Sequence, residues 1–287
     1  MKRSDFRFFD RLRVRWVEVD MQKIVFNGHY LMYFDTAVAG YWRALALPYH
    51  ETMEMLEGDL FVRKATVEYL GSARYDEQCE VGIRCERIGN SSMLLQAALF
   101  RGEALLVHGE LVYVFADPAT QTSKPVPPEL RAVLTDFEAG ETMVDVRVGA
   151  WDELGREAQS IRTAVFVEEQ KIPAEMEWDA ADAACLHAVA YNRLGMALAT
   201  GRLSEHAPGV ARVGRMAVLQ ALRGSGVGGA VLHALTAAAR ERGEHELLLH
   251  AQASAMAFYR RAGFTARGAA FEEAGIPHQE MVRSLAR

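Results

Sequence analysis

The alternation of hydrophobic and polar residues in the first half of the chain predicts one long helix followed by strands. Residues 12–17 alternate with a period of two and predict a first strand. A helix of about 17 residues follows from Tyr30, and Pro48 comes after its end. Further strands are predicted at 60–70, 79–86, 93–101 and 104–115, the last three joined by tight turns as an antiparallel meander. This order predicts an α+β domain in which the sheet wraps the helix.

The second half mixes strands with helices and predicts an α/β domain. A strand at 143–148 precedes a helix at 154–165, and strands follow at 184–192, 195–203, 212–219 and 247–250. A proline-rich stretch and a short closing helix at 129–134 end the first half, and an acidic connector follows. We therefore expect a first domain at 1–134, a linker at 135–142 and a second domain at 143–287.

Composition excludes several classes of protein. The net charge is −6 and neither half has a basic excess, so nucleic acid is not expected as a partner. No run of about 18 apolar residues occurs, so no membrane span is expected, and the first residues lack the apolar core of a signal peptide. The three cysteines form no metal-type pair, which predicts a cytoplasmic protein without a metal site.

A glycine-rich turn between a strand and a helix is the strongest sign of ligand binding. Backbone amides at such a helix start can hold phosphate oxygens. A Walker loop is excluded because Gly-Gly-Ala stands where Gly-Lys-Ser/Thr is needed. A dinucleotide fingerprint is matched by Gly224, Gly226 and Gly229, but no acidic residue follows the next strand. Two interpretations of the turn stay open: a site for the pyrophosphate of coenzyme A, and an ordinary tight turn without a ligand. The residues that would wrap a pyrophosphate are Arg223, Gly224, Ser225, Gly226, Val227, Gly228 and Gly229.

Separated motifs in residues 143–287 resemble the GNAT superfamily of N-acetyltransferases, in particular its ElaA-like branch. They are Arg-Gly-Ser-Gly-Val-Gly at 223–228, Phe-Tyr-Arg-Arg-Ala-Gly-Phe at 258–264, Gly-Ile-Pro-His-Gln-Glu-Met at 275–281, the segment 162–173 and the segment 187–191. The resemblance implies acetyl-CoA as the acyl donor and a small amine as the acceptor. It implies that Met216 and Val218 offer backbone groups to the pantetheine arm, that residues 223–229 hold the pyrophosphate, and that Tyr259 protonates the departing thiolate.

The proton acceptor of this transfer stays open at the level of sequence. Three side chains in the matching segments are candidates, Glu168, Glu169 and His187, and a water chain is an alternative. His278 is expected as a residue of the acceptor site. The loop at 172–179 is expected to line the acceptor side.

The first half resembles the hotdog fold of the hydroxybenzoyl-CoA thioesterase type. The matching segments are Glu-Val-Asp at 18–20, Ile-Val-Phe-Asn-Gly-His-Tyr at 24–30, the stretch 61–69 and Ala-Arg-Tyr-Asp at 73–76. The resemblance implies hydrolysis of an acyl-CoA thioester, with Asp20 as general base or nucleophile. The helix start at Asn27 would donate amides to the developing oxyanion. It also implies a homodimer or a larger even oligomer, with acyl-CoA across the interface.

Together these features predict a bifunctional enzyme in which both halves handle acyl-CoA. Two alternatives stay open: a sensor or scaffold that binds CoA without turnover, and a hotdog half that serves mainly to dimerise the chain.

Overall fold

The computed structural model describes residues 1–273 and 275–285, so Ala274 and residues 286–287 of the expected second domain lie outside the described residues. The chain divides into two compact units, Met1–Met143 and Val144–Arg287. Within the described ranges, no helix is both long and apolar enough to cross a bilayer.

The first unit is one long helix packed on an antiparallel sheet. Its strands are β1 (Phe8–Arg13), β2 (Asp59–Tyr69), β3 (Gln78–Ile88), β4 (Ser92–Arg101) and β5 (Ala104–Ala116). They pair in the order β1-β3-β4-β5-β2. Phe34, in the middle of the long helix, is fully buried, and its ring lies so close to Gly109 of the sheet that a Cβ there would clash at 2.9 Å. The predicted α+β architecture and meander are confirmed. The helices are α1 (Asn27–Ala44), α2 (Tyr49–Met55) and α3 (Pro128–Glu138).

Two predicted boundaries in this unit were wrong. The first strand ends at Arg13, and Trp16–Glu18 forms a 3-10 turn because the Glu18 carboxylate accepts the Arg15 amide at 2.7 Å. The closing helix α3 continues beyond residue 134 to Glu138. Phe137 is buried in that last turn, and its ring packs edge-on against Tyr41. Packing of this turn therefore overrides the acidic, connector-like composition.

The second unit is a mixed sheet covered by helices. Its described strands are β6 (Val144–Gly149), β7 (Leu186–Asn192), β8 (Ala197–Ala207), β9 (Val210–Val218), β10 (Glu246–Gln252), β11 (Thr265–Ala266), β12 (Phe271–Glu273) and β13 (Ile276–Ser284). They pair in the order β11-β13-β10-β9-β8-β7-β6, and β12 also pairs with β13. The pair β9 and β10 is parallel, whereas the other pairs are antiparallel. The helices are α4 (Trp151–Arg162), α5 (Ala174–Glu177), α6 (Val227–Glu241) and α7 (Met256–Arg261).

The helix predicted at 154–165 was only partly right. The α-helix begins at Trp151, and after Arg162 the backbone continues as a π-helix over Thr163–Glu169. Val165 and Phe166 are adjacent in the chain, yet both are buried in one cluster with Val189 of β7. The wider turn lets both side chains join this core, and π turns often lie at functional sites.

Candidate active sites

Asp20 lies in the loop that leads into the long helix of the first unit. Its carboxylate Oδ1 accepts the Gln22 amide at 2.8 Å, and its own amide donates to the Ile24 carbonyl at 2.9 Å. Asp20 is half-buried, and the hydrogen bond to Gln22 occupies only one of its two carboxylate oxygens. Asp20 thus braces its loop and retains an oxygen that can act on a neighbouring molecule.

The first turn of α1 is the place where the sequence predicts oxyanion donors. Asn27 is the first helical residue, and the His29 amide already bonds the Phe26 carbonyl at 2.9 Å. The amides of Asn27 and Gly28 precede it, and amides at such positions lack acceptors within the helix. Tyr69 of β2 donates its hydroxyl to the Asn27 carbonyl at 3.2 Å. This contact ties the helix start to the edge strand of the sheet.

Glu18 is the buried carboxylate beside this loop. It is 2% exposed, and it accepts the Arg15 amide and the Tyr33 hydroxyl, each at 2.7 Å. Burial alone would raise the pKa of Glu18, but these hydrogen bonds hold that pKa below its usual value. Glu18 therefore stays ionised and fixes the loop to α1 through Tyr33.

In the second unit, strands β9 and β10 pair at one end and separate at the other. Within the described residues, their parallel pairing runs from Glu246 opposite Val210 to Leu248 opposite Arg212, and both strands continue further. Arg215 has a φ of +51°, and the register between β8 and β9 shifts in this region. A bulge bends its strand, so β9 leaves β10 and opens a wedge between them.

The glycine-rich turn lies at the open end of this wedge, between β9 and α6. Gly224 and Gly226 have φ values of +83° and +93°, and Gly226 is the N-cap of α6. The first hydrogen bond of this helix runs from the Ala230 amide to the Gly226 carbonyl, at 3.1 Å. The three amides before Ala230 face the turn without a helical acceptor. Among the described residues, apart from its chain neighbours and its own helix backbone, no heavy atom lies within 4 Å of a Cβ built on Gly229, so a ligand can approach it.

Arg223 and Glu169 form a two-pronged ion pair beside this turn. The guanidinium nitrogens Nη1 and Nη2 lie 2.7 and 2.6 Å from the two carboxylate oxygens. The hydrogen bond from Arg223 lowers the pKa of Glu169, which therefore stays ionised at neutral pH. An anionic ligand at the turn would compete with Glu169 for this guanidinium.

A cavity of 420 Å³ occupies the wedge, and Met216 and Tyr259 both line it. Tyr259 is 8% exposed, and its ring packs against Phe258 and Phe264. Burial raises the pKa of Tyr259 to about 12, so its hydroxyl keeps its proton near neutral pH. Val218 flanks the turn: its carbonyl accepts Arg223 Nε at 3.2 Å, and its side chain lies 3.0 Å from a Cβ built on Gly228.

Comparison with known proteins assigns both units. The family model of the thioesterase superfamily matches residues 22–108, and that of the acetyltransferase (GNAT) domain matches residues 154–285. The uncharacterized N-acetyltransferase YjcF of Bacillus subtilis is 34% identical over 130 residues, which span 45% of this chain and 91% of that protein. The chain joins a thioesterase-superfamily hotdog domain to a GNAT acetyltransferase domain.

Other relatives also match one domain at a time. The acyl-CoA thioester hydrolase YbgC of Escherichia coli is 26% identical to the hotdog half, over 44% of this chain and 92% of that protein. A crystal structure of a putative N-acetyltransferase from Lactobacillus plantarum is 32% identical, with a TM-score of 0.48, and covers 50% of this chain and all of that one.

The three predicted proton acceptors of the GNAT domain and the predicted acceptor-site residue His278 lie in different surroundings. His278 lines the cavity, whereas Glu168, Glu169 and His187 are outside its wall. Glu168 is exposed, and Glu169 is paired with Arg223. His187 is 1% exposed, its Nε2 lies 2.9 Å from the Asp182 carbonyl, and burial lowers its pKa. Of these four side chains, only His278 reaches the acceptor space.

The wall of this cavity contains charged side chains that sequence reasoning missed. Those from β8, β9 and β10 stand in separate strands, so only the pairing of the strands brings them together. The loop at 172–179 was expected at the acceptor side, and Ile172, Met176, Glu177 and Asp179 do line the cavity. The missed residues are Arg202, Arg212, Arg215, His250 and Glu273.

Arg162 holds this loop to α4 from inside the domain. Its side chain is 1% exposed, and Nε lies 2.5 Å from Glu177 Oε1, while Nη1 lies 3.0 Å from both Asp182 carboxylate oxygens. Both carboxylates are also buried. Arg162 thus neutralises charges that have no access to water.

Replacing Arg162 by methionine is expected to destabilise the GNAT domain by about 3–5 kcal/mol, because two buried carboxylates lose the buried guanidinium that they share. The midpoint of urea unfolding measures this through tryptophan fluorescence, since Trp151 and Trp178 lie 5.7 and 4.8 Å from the guanidinium. The matched control is Arg156→Met, an exposed arginine on the same helix, expected within about 0.5 kcal/mol of wild type. Equal midpoints for the two variants would contradict this role.

Proposed function

We propose that this chain is a bifunctional acyl-CoA enzyme. The hotdog domain hydrolyses an acyl-CoA thioester, and the GNAT domain transfers an acetyl group from acetyl-CoA to a small amine. The observation that carries the proposal is the wedge between β9 and β10, with a glycine turn at its open end and a buried, protonated tyrosine in its wall.

The transferase half follows from what the wedge offers to acetyl-CoA. Amides at the start of α6 suit the pyrophosphate, and the separated edge of β9 around Met216 and Val218 suits the amides of the pantetheine arm. In the reaction, the amine nitrogen bonds to the acetyl carbon and the carbon–sulfur bond breaks. The sulfur takes the proton of Tyr259, the amine loses a proton to solvent, and Tyr259 regains its proton from solvent.

The hydrolase half follows from the loop and the helix start of the hotdog domain. The amides of Asn27 and Gly28 would stabilise the oxyanion that forms on the thioester carbonyl. Asp20 would take the proton of the attacking water, or attack the carbonyl itself to give an anhydride. Tyr69 and Glu18 hold this helix start and this loop in place.

Exchange of Gly226 for alanine tests the pyrophosphate seat. An L-residue at a φ of +93° strains the turn by about 1–2 kcal/mol, and its methyl group projects into the open space where phosphate would lie. We expect the KM for acetyl-CoA to rise about tenfold. The matched control is Gly243→Ala at the other end of α6, where φ is +81° and the space is equally open. A KM that rises equally in both variants would count against the site.

The decisive experiment for the whole proposal uses the purified full chain and follows release of free CoA thiol. With acyl-CoA in water, thiol release should occur without an amine for at least one acyl chain length. With acetyl-CoA, thiol release should require an amine, and the acetylated amine should appear in equal amount. Tight CoA binding without turnover in either assay would favour a sensor or scaffold instead.

A second function for the hotdog domain is favoured by its exposed sheet edge. Strand β2 lies at the edge, and Phe61 and Val62 are 37% and 53% exposed on it. An apolar strand edge of this kind is suited to pairing with a second copy of the chain. Asp20, engaged in its own turn, would then have a bracing role. A homodimer in solution with no hydrolysis of any acyl-CoA would support this function over the first.

A further inference from the structure

A row of polar side chains crosses one face of the GNAT sheet. In the strand register, Arg202 faces Gly214, Ser204 faces Arg212, His250 faces Glu280 and Gln252 faces His278. The residues between them, including Leu203 and Leu249, are at most 1% exposed and alternate onto the opposite face. Because side chains alternate along a strand, the polar residues share the face that forms the cavity.

Most charges at this face are balanced within the protein. Arg202 lies 2.8 Å from both Asp179 and Asp182, and Arg215 lies 3.2 Å from Asp179. Arg215 also lies 3.3 Å from Glu177, which Arg162 binds. These guanidinium groups therefore already have carboxylate partners.

Arg212 differs from these arginines. Among residues 1–273 and 275–285, no carboxylate lies within ion-pairing distance of its guanidinium, and its side chain contacts His250. Nη2 lies 2.9 Å from His250 Nδ1. Since a guanidinium can only donate, Nδ1 accepts in this contact. Glu273 approaches the same Nδ1 at 3.3 Å but is 49% exposed at the cavity mouth. The guanidinium retains Nη1 and Nε as donors.

We propose that the amine accepted by the GNAT domain also carries a carboxylate, and that Arg212 binds this carboxylate. The inference rests on the transferase function proposed above and names its substrate class: small molecules of the amino-acid type. A guanidinium presents its donors as a planar fork that matches the two oxygens of a carboxylate. The cavity volume of 420 Å³ is sufficient for an acceptor of this size. Once the carboxylate is bound, the amine on the same molecule is held in the cavity that Tyr259 lines.

The test compares matched acceptors on the full chain: L-amino acids, their primary α-amides and the corresponding amines without a carboxyl group. Wild type should acetylate an amino acid with a kcat/KM at least about tenfold above that of its amide. In Arg212→Met this ratio should fall to about one through a higher KM for the amino acid. Arg212→Lys keeps the charge without the fork and should give an intermediate ratio. Arg147→Met, an exposed arginine on β6, should keep the wild-type ratio.

Each outcome has a distinct meaning. Equal kcat/KM for amino acid and amide in wild type would overturn the inference, as would equal losses for both acceptors in Arg212→Met. A preference for diamines would overturn it as well, since it would make the carboxylates of the wall the binding groups. No transfer to any acceptor, with acetyl-CoA bound, would contradict the proposed transferase function itself. Thermal unfolding of each variant separates loss of binding from loss of folding.

Discussion

Substitution of Asp20 by asparagine is expected to lower kcat for acyl-CoA hydrolysis by about 100- to 10,000-fold, the contribution typical of a positioned general base. Asparagine is isosteric and keeps an oxygen that can accept the Gln22 amide, so the loop should keep its shape. Only the basicity of the side chain is lost. Initial rates of thiol release from acyl-CoA, without an amine, measure the effect.

The control for Asp20 is Asp117→Asn in the same domain. Asp117 also accepts the amide two residues ahead, that of Ala119, at 2.9 Å, and it lies in a different loop. This variant should hydrolyse acyl-CoA like wild type, and amine acetylation by the GNAT domain should be unchanged in both variants. If Asp20→Asn kept more than a tenth of wild-type hydrolysis, the residue would have a bracing role only.

Substitution of Tyr259 by phenylalanine is expected to lower kcat for amine acetylation by about 100-fold or more, with a small change in the KM for acetyl-CoA. The ring would still pack against Phe258 and Phe264, so the wall of the cavity remains and only the proton donor disappears. The control is Tyr191→Phe, a buried tyrosine of the same domain that lies in the core cluster. Comparable losses in the two variants would point to packing rather than proton transfer.

The pH dependence of transfer follows from the same residue. Burial raises the pKa of Tyr259 to about 12, so the protonated form persists as the pH rises and is lost only near that value. The wild-type kcat should therefore show no decline due to this group between pH 7 and about pH 10. A decline in that range that disappears in Tyr259→Phe would mean that the hydroxyl titrates far lower.

Local sequence features predicted those parts of the sites that depend on backbone chemistry. The glycine-rich turn was predicted between a strand and a helix, and the structure has it there, with positive φ values at Gly224 and Gly226. The apolar spacing after Tyr30 predicted the long helix, which begins at Asn27 and ends at Ala44. These features arise from a few neighbouring residues, so the chain displays them directly.

The wedge and the charged face of the cavity were beyond local prediction. The bulge is at Arg215, a residue with no intrinsic preference for a φ of +51°. Its ionic contacts with Glu177 and Asp179, both distant in sequence, accompany that conformation. Likewise, Arg212 and His250 become neighbours only through the pairing of β9 with β10. Such features depend on tertiary register, which a pattern of apolar positions does not specify.

The last turn of α3 determines where the two halves can be separated for study. Glu138 accepts the Tyr41 hydroxyl and, at 2.8 Å, the Cys85 amide, while Phe137 covers the Tyr41 ring. A truncation after residue 134 would remove Phe137 and Glu138. The Tyr41 hydroxyl and the Cys85 amide would then lose their hydrogen-bond acceptor inside the hotdog domain. Cutting the chain between Met143 and Val144 keeps the last turn of α3 in the first fragment. Loss of hydrolysis in that fragment would then reflect its catalytic chemistry and not the loss of these contacts.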